Sequence, residues 1–246
     1  MLRPLLDVLF PQRCAGCGRG TWPFCPACHA SLVSLTAPGC ARCGRPAEET
    51  LTGCRDCPPD PIEWARAPFL YSGAARIALH RLKFSGWRTV AEALASAMAT
   101  ANEHPADAVT WVPLSRARLA RRGYDQARAL AVATASHLGI PAVPMLARTR
   151  DTPAQAMRCG TERRRAMRGA FRIAGRGPTP SVVLLVDDVL TTGATAAECA
   201  RVLRSAGARR VGLLVAARAL AGPLPARCYS GADSRLSLWL PGGRPR

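Results

Sequence analysis

Lysine is nearly absent from this chain: Lys83 is the only one. Acidic residues are also scarce, 16 against 34 basic ones, so the formal charge of +18 is carried almost wholly by arginine. No uninterrupted apolar run approaches the ~18 residues that a membrane-spanning helix needs, which excludes a transmembrane segment. Met1–Phe10 is too short and too lightly charged for a secretory signal, so the expected location is cytoplasmic. No internal repeat is present. A chain of 246 residues is long enough for one α/β domain and a small appendage, and no third domain is needed.

The charge has two readings. A strongly basic surface attracts nucleic acid or phosphorylated ligands. A composition that uses arginine in place of lysine throughout fits a coding bias equally well.

Cysteine is plentiful. Eight of the eleven fall in four CxxC pairs: Cys14 and Cys17, Cys25 and Cys28, Cys40 and Cys43, Cys54 and Cys57. Each pair bends the backbone so that two thiolates face one centre, and two pairs complete the four-sulfur shell of structural zinc. Two zinc ions are expected. A disulfide framework is the alternative, disfavoured because thiols beside a cytosolic α/β domain stay reduced. Sequential pairing keeps both loops short, and interleaved pairing stays open. Closed sites of this kind assist folding and leave no coordination position for catalysis. Arg13, Arg19, Arg42, Arg45 and Arg55 with Trp22 and Phe24 form either a grip for phosphates and bases or a solvated surface. Leu2, Leu5, Leu6, Leu9 and Phe10 form a short apolar face suited to docking, and the Pro-rich Cys57–Trp64 reads as a linker. The expected division is a metal module over residues 1–60 and an α/β domain over 61–246.

The stretch VVLLVDDVLTTGAT, Val182–Thr195, organises the rest. Val182–Val186 is a continuous aliphatic run, as in a central parallel strand buried on both faces. Asp187 and Asp188 therefore emerge at its carboxyl end, where open α/β sheets bind ligands. Thr191, Thr192, Gly193, Ala194 and Thr195 lead into a helix over Ala194–Ser205, and backbone N–H groups with hydroxyls at a helix N-terminus attract phosphate. Two acids beside a phosphate cradle suit a sugar phosphate. The pattern is similar to the PRPP-binding signature of type I phosphoribosyltransferases.

Further elements are expected around it. Ala67–Tyr71 reads as a strand and Gly73–Phe84 as a helix with Arg76, His80 and Lys83 on one face. Ala91–Asn102 reads as a helix, Ala108–Val112 and Val143–Ala147 as strands, Ala208–Ala217 as a strand, and Leu236–Leu240 as an edge strand in a frayed tail. Pro113, Leu114 and Ser115 form a second loop followed by Arg116, Arg118, Arg121 and Arg122, a density that suits pyrophosphate or a solvated helix start. With Arg122, Gly123, Tyr124, Asp125 and Gln126 matching an RGxxQ element, and with the cysteine pairs in front, the chain resembles the ComF family.

That resemblance implies a type I phosphoribosyltransferase fold, an open and mainly parallel sheet with helices on both faces, behind a Cys-rich zinc ribbon. It implies Mg²⁺-dependent transfer of phosphoribosyl from PRPP, with Asp187 and Asp188 on the ribose hydroxyls and Thr191–Thr195 on the 5′-phosphate. Pro113, Leu114, Ser115, Arg116, Arg122 and Lys83 would meet pyrophosphate. Ala147–Phe171 would be a cover bearing Thr152, Gln155 and Arg163, with Gln155 and Arg163 joining the acids in catalysis. Such covers exclude water from the reacting centre. Ala166 departs from the family, which commonly has Asn there. Cys159, Cys199 and Cys228 are expected to be ordinary thiols.

The acceptor is open. A 6-oxopurine is disfavoured, because enzymes of that type carry a carboxylate where this chain has Thr191. Glutamine-dependent amidotransfer is disfavoured for want of an amino-terminal cysteine nucleophile and a glutaminase domain. The family also implies a link to DNA uptake in natural transformation. The alternatives to an enzyme are a non-catalytic single-stranded-DNA-binding competence protein and a PRPP-sensing regulator.

Overall fold

A computed structural model describes residues 13–35, 38–150, 165–175 and 177–220. The main sheet is parallel throughout. Its order is β1 (Trp64–Arg66), β7 (Arg210–Arg218), β6 (Val182–Leu190), β3 (Ala108–Trp111), and β2 (Phe69–Leu70) also pairs with β7. β4 (Leu146–Arg148) and β5 (Phe171–Ile173) form a separate antiparallel pair. The helices are α1 (Pro26–Ala30), α2 (Gly73–Phe84), α3 (Thr89–Ala101), α4 (Arg116–Arg122), α5 (Gln126–Leu138) and α6 (Ala194–Ser205).

The aliphatic run of β6 forms a central strand because both its faces find cover. Val183 and Leu185 join Val211, Leu213 and Val215 of β7 under Ala196, Cys199, Ala200 and Leu203 of α6. On the other face, Leu184 and Val186 join Leu214 and Ala216 under α2, α3 and α5, with Leu79, Leu94, Met98 and Leu130 fully buried. The two-residue alternation of a strand divides odd from even positions between these layers. At the edge, Gly212 makes room for a large neighbour: a Cβ there would lie 2.2 Å from Trp64 Cε2. Leu184 at the strand centre is therefore irreplaceable by a small residue without a cavity.

Several boundaries differ from the sequence expectation. β6 runs on to Leu190 because its pairing with β7 continues through Asp187, Val189 and Leu190. The expected strand at Ala67–Tyr71 shrinks to β2, and β1 lies just before that span; both are set on β7. The expected strand near Val143 starts only at Leu146 and stands outside the main sheet. Leu236–Leu240, the apolar face of Leu2–Phe10, Thr152, Gln155, Cys159, Arg163 and Cys228 lie outside the described residues.

The cysteine module does not hang on a linker. Cys40 and Cys43 belong to the same buried cluster as Val183 and Leu185, and Ile62, within the proline-rich stretch, is fully buried. Trp22 and Phe24 pack against the other cluster. Arg42 and Arg45 pair with Asp60 and Asp56 at 2.6 and 2.9 Å. Both aromatics stay half-exposed while they pack against that cluster. No helix among the described residues is long and apolar enough to cross a membrane.

Candidate functional site

Asp187 and Asp188 stand near the carboxyl end of β6, and the strand's alternation sends one to each layer. Asp188, 7% exposed, faces α2 and α5. Its Oδ2 lies 2.9 Å from Lys83 Nζ and accepts a hydrogen bond of 3.3 Å from Gln126 Nε2. Gln126 Oε1 in turn accepts from Arg122 at 2.8 Å. Lys83 comes from the last turn of α2, while Arg122 ends α4 and Gln126 opens α5. Gly123, at φ +74°, makes the left-handed turn that ends α4. Asp125 caps α5, accepting from Ala127 and Arg128 N–H at 3.0 and 3.1 Å. Its other oxygen accepts from Leu114 N–H at 3.2 Å. The RGYDQ element thus ties the Pro113–Ser115 loop to the acid pair.

Asp187 faces the α6 layer. Burial, with the charge of Asp188 close by, pushes its carboxyl up to about 8, against the opposing hydrogen bond from Asp188 N–H. Arg122 moves the other way: burial lowers it, while Asp188 works to keep it charged. Two buried polar atoms of this loop, Arg122 Nε and Tyr124 OH, have no hydrogen-bond partner among the described residues.

Beyond the acids the chain turns at Thr191–Gly193 into α6. Gly193, at φ +70°, is the N-cap, and Thr192 Oγ1 accepts from Ala194 N–H at 3.4 Å. Thr191 and Thr192 are exposed, Gly193 and Ala194 buried. A small open depression is lined here by Asp187, Thr191, Gly193, Ala194 and Thr195 on one side and by Val189, Leu190, Ala196, Leu213 and Val215 on the other. The turn, one acid and a helix N-terminus therefore share one concavity, an arrangement suited to an anion with hydroxyls at its other end.

The other expected residues are distributed unevenly. Pro113 and Ser115 are buried, and Ser115 caps α4, its hydroxyl accepting from Arg118 N–H at 3.4 Å. Arg116 is exposed on the first turn of α4. Lys83 and Arg122 converge on Asp188. Sequence reasoning did not give Asp125 a site role, although an Asp followed by the start of a helix is a recognisable cap signal. Nothing local to its sequence marked Gln126 as the bridge between arginine and acid.

The eight cysteines gather as two groups, Cys14, Cys17, Cys25, Cys28 and Cys40, Cys43, Cys54, Cys57, so the sequential pairing holds. Within them, sulfurs stand 3.7 Å apart for Cys17 and Cys25, 3.6 Å for Cys40 and Cys57, and 3.5 Å for Cys43 and Cys54. A tetrahedron with Zn–S bonds near 2.3 Å has edges of about 3.8 Å, so both groups fit zinc.

A parallel sheet carrying an acid pair and a glycine turn at its carboxyl end, packed with two four-cysteine sites, defines an open α/β protein with a zinc-ribbon module. The double zinc ribbon domain family matches residues 5–58. The DNA utilization protein YhgH of Escherichia coli O157:H7 is 32% identical over 208 residues, 78% of this chain and 88% of its own. Competence protein F of Haemophilus influenzae is 31% identical, covering 80% of this chain and 90% of its own. The chain belongs to the ComF family of competence and DNA utilization proteins. Among solved structures, a Bacillus subtilis glutamine PRPP amidotransferase aligns over 51% of this chain and 26% of its own, at 24% identity and a TM-score of 0.37.

Because the folded state holds Asp187 protonated while the unfolded chain ionises it near pH 4, its contribution to stability is present below that pH and lost as pH rises through about 8. Urea denaturation at pH 5 and pH 8.5 should therefore show Asp187→Asn gaining on the parent protein by more than about 1 kcal/mol, the equivalent of one pKa unit. A difference that stays flat with pH would contradict the assigned environment.

Proposed function

We propose that this protein binds PRPP and transfers its phosphoribosyl group to an acceptor, releasing pyrophosphate, in the service of DNA uptake. The observation that carries this reading is the placement of Asp187 in one concavity with the Thr191–Thr195 turn. The turn and the N-terminus of α6 would hold the 5′-phosphate. Asp187, destabilised as an anion by burial and by Asp188, gains most from hydroxyl donors or a divalent cation placed beside it. Asp188 positions Lys83 and, through Gln126, Arg122, two cations that suit an anionic leaving group. Pro113–Ser115 and Arg116 complete that side, and Gln155 and Arg163 would come from the cover.

The residues present fit Mg²⁺, with Asp187 as the carboxylate ligand. When bound, the ion neutralises charge on pyrophosphate. In the reaction the C1–O bond to pyrophosphate breaks with its electron pair leaving on pyrophosphate, C1 passes through an oxocarbenium-like state, and the acceptor's lone pair forms the new bond. The chain supplies orientation and countercharge and no covalent nucleophile. Residues 61–246 would carry this activity and residues 1–60 the two zinc ions, in the cytoplasm.

Calorimetry at pH 7 with PRPP and Mg²⁺ tests this. Binding should release a proton from Asp187, seen as an enthalpy that varies with the buffer. Asp187→Asn should abolish that release and weaken binding about tenfold or more, roughly 1.4 kcal/mol. Unchanged affinity in the folded variant would remove the proposal, and pyrophosphate release across a panel of bases and amines would then identify no acceptor.

A second reading, single-stranded DNA binding, is favoured by a surface beside the same site. Arg81 lies over Trp87 at 4.7 Å, Arg88 over Tyr124 at 5.0 Å, and Arg122 over Phe84 at 5.1 Å, with Phe84 60% exposed. Phe84→Ala should cost about 1 to 3 kcal/mol of single-strand affinity if a base stacks there. Binding that falls steeply with salt yet ignores this change would be charge attraction without a site.

A further inference from the structure

The four-cysteine site of Cys40, Cys43, Cys54 and Cys57 touches the phosphate-type turn along two separate routes. The first runs through Pro58, which follows Cys57 and is buried. A Cβ on Gly193 would lie 2.8 Å from Pro58 Cβ and 3.2 Å from Pro59 Cδ, so this proline pair seats directly on the cap of α6. Arg42, one residue before Cys43, fixes the segment by donating to Pro58 O at 3.2 Å, Ile62 O at 3.0 Å and Asp60 at 2.6 Å.

The second route runs through Arg218, at the end of β7. Arg218 is 1% exposed. Its guanidinium donates to Cys43 O and to Asp56 O, each at 2.6 Å. Its backbone stands in register with Leu190, the residue before Thr191, and Ala219 N–H donates to Leu190 O at 2.9 Å. A buried guanidinium is costly without nearby negative charge. Four thiolates around one Zn²⁺ would carry a net charge of about −2, and Arg218 stands at the edge of that site on the Cys43 carbonyl.

The other four-cysteine site has different neighbours. Arg81 donates to Cys14 O at 3.4 Å, Ser31 Oγ accepts from Ala74 N–H at 3.2 Å, and a Cβ on Gly16 would meet Ala74 at 3.2 Å. These contacts go to α2, whose last turn supplies Lys83 to Asp188, and none of them reaches the turn itself. The two groups thus differ in whether they contact the turn.

We propose that the metal site of Cys40, Cys43, Cys54 and Cys57 positions the Thr191–Thr195 turn through Pro58 and Arg218, so that metal there and sugar phosphate at the turn strengthen each other's binding. This rests on the reading of the turn as a PRPP site. Pro58 and Arg218 are positioning residues: the first sets the cap of α6, the second sets the strand end that feeds the turn. Coupling of this kind is reciprocal, because the two ligands share one folded arrangement.

The test uses the intact two-zinc protein. A chelator titration at equilibrium, with and without PRPP and Mg²⁺, is followed by alkylation of free thiols and mass spectrometry, which reports separately on the two cysteine groups. PRPP should raise the metal affinity of the Cys40, Cys43, Cys54, Cys57 group about fivefold or more, within the usual range of such couplings, and leave the other group within about twofold. Pro58→Gly and Arg218→Lys should weaken PRPP binding to a similar degree while the Cys14 group keeps its metal. PRPP binding with no change at either group would overturn the coupling and leave the PRPP reading standing. Equal protection of both groups would mean general stabilisation of the fold, which also overturns it. No PRPP binding to the parent protein would overturn both.

Discussion

The strict alternation of β6 is the constraint on which the rest depends. A strand buried on both faces must present apolar side chains at every position, and Val183–Val186 do so, fully buried against two different layers. Two consecutive acids at its end therefore cannot share an environment. One enters the layer of α2 and α5, the other the layer of α6. Adjacent residues in sequence become separate chemical groups, one held by Lys83 and Gln126 and the other beside the turn.

The two layers treat their acids differently. Asp188 is met by Lys83 and Gln126, so its burial is compensated, and the cost would fall on whichever partner was removed. Asp187 receives little beyond its neighbour's N–H and sits in the open concavity of the turn. The uncompensated member of the pair is thus the one beside the helix N-terminus. Perturbed groups in a concavity are where chemistry is usually found, and here the perturbation follows from burial and a like charge one residue away.

Much of this was legible in the sequence. The aliphatic run, the acids and the helix start at Ala194 follow from periodicity and turn chemistry, and four CxxC pairs announce two metal sites by spacing alone. Other features were not legible, because they are made by residues distant in the chain. Arg218 reads as the end of an apolar strand, and only the fold brings it to Cys43. Pro58 reads as part of a linker, since prolines punctuate, yet here they seat on Gly193. Trp22 and Phe24 carry no local sign of their packing against the layer of α2, α3 and α5, where they are half-buried. Gln126 carries no local mark of its bridge to Asp188. The limits of β6 were underestimated because charged residues end most buried runs, and pairing with β7 carries this one past them.

The cysteine module and the sheet are consequently parts of one packed body around the candidate site, with Cys40 and Cys43 in the same cluster as the central strand. The central claim is that the turn at Thr191–Thr195 receives the 5′-phosphate of PRPP. Phosphorus NMR of PRPP with Mg²⁺, titrated with this protein, tests it most directly, because the 5′-phosphate resonance is separate from those of the pyrophosphate. The account predicts a saturable shift or broadening of the 5′-phosphate signal. A spectrum in which that signal never moves, or in which only the pyrophosphate signals respond, would contradict it.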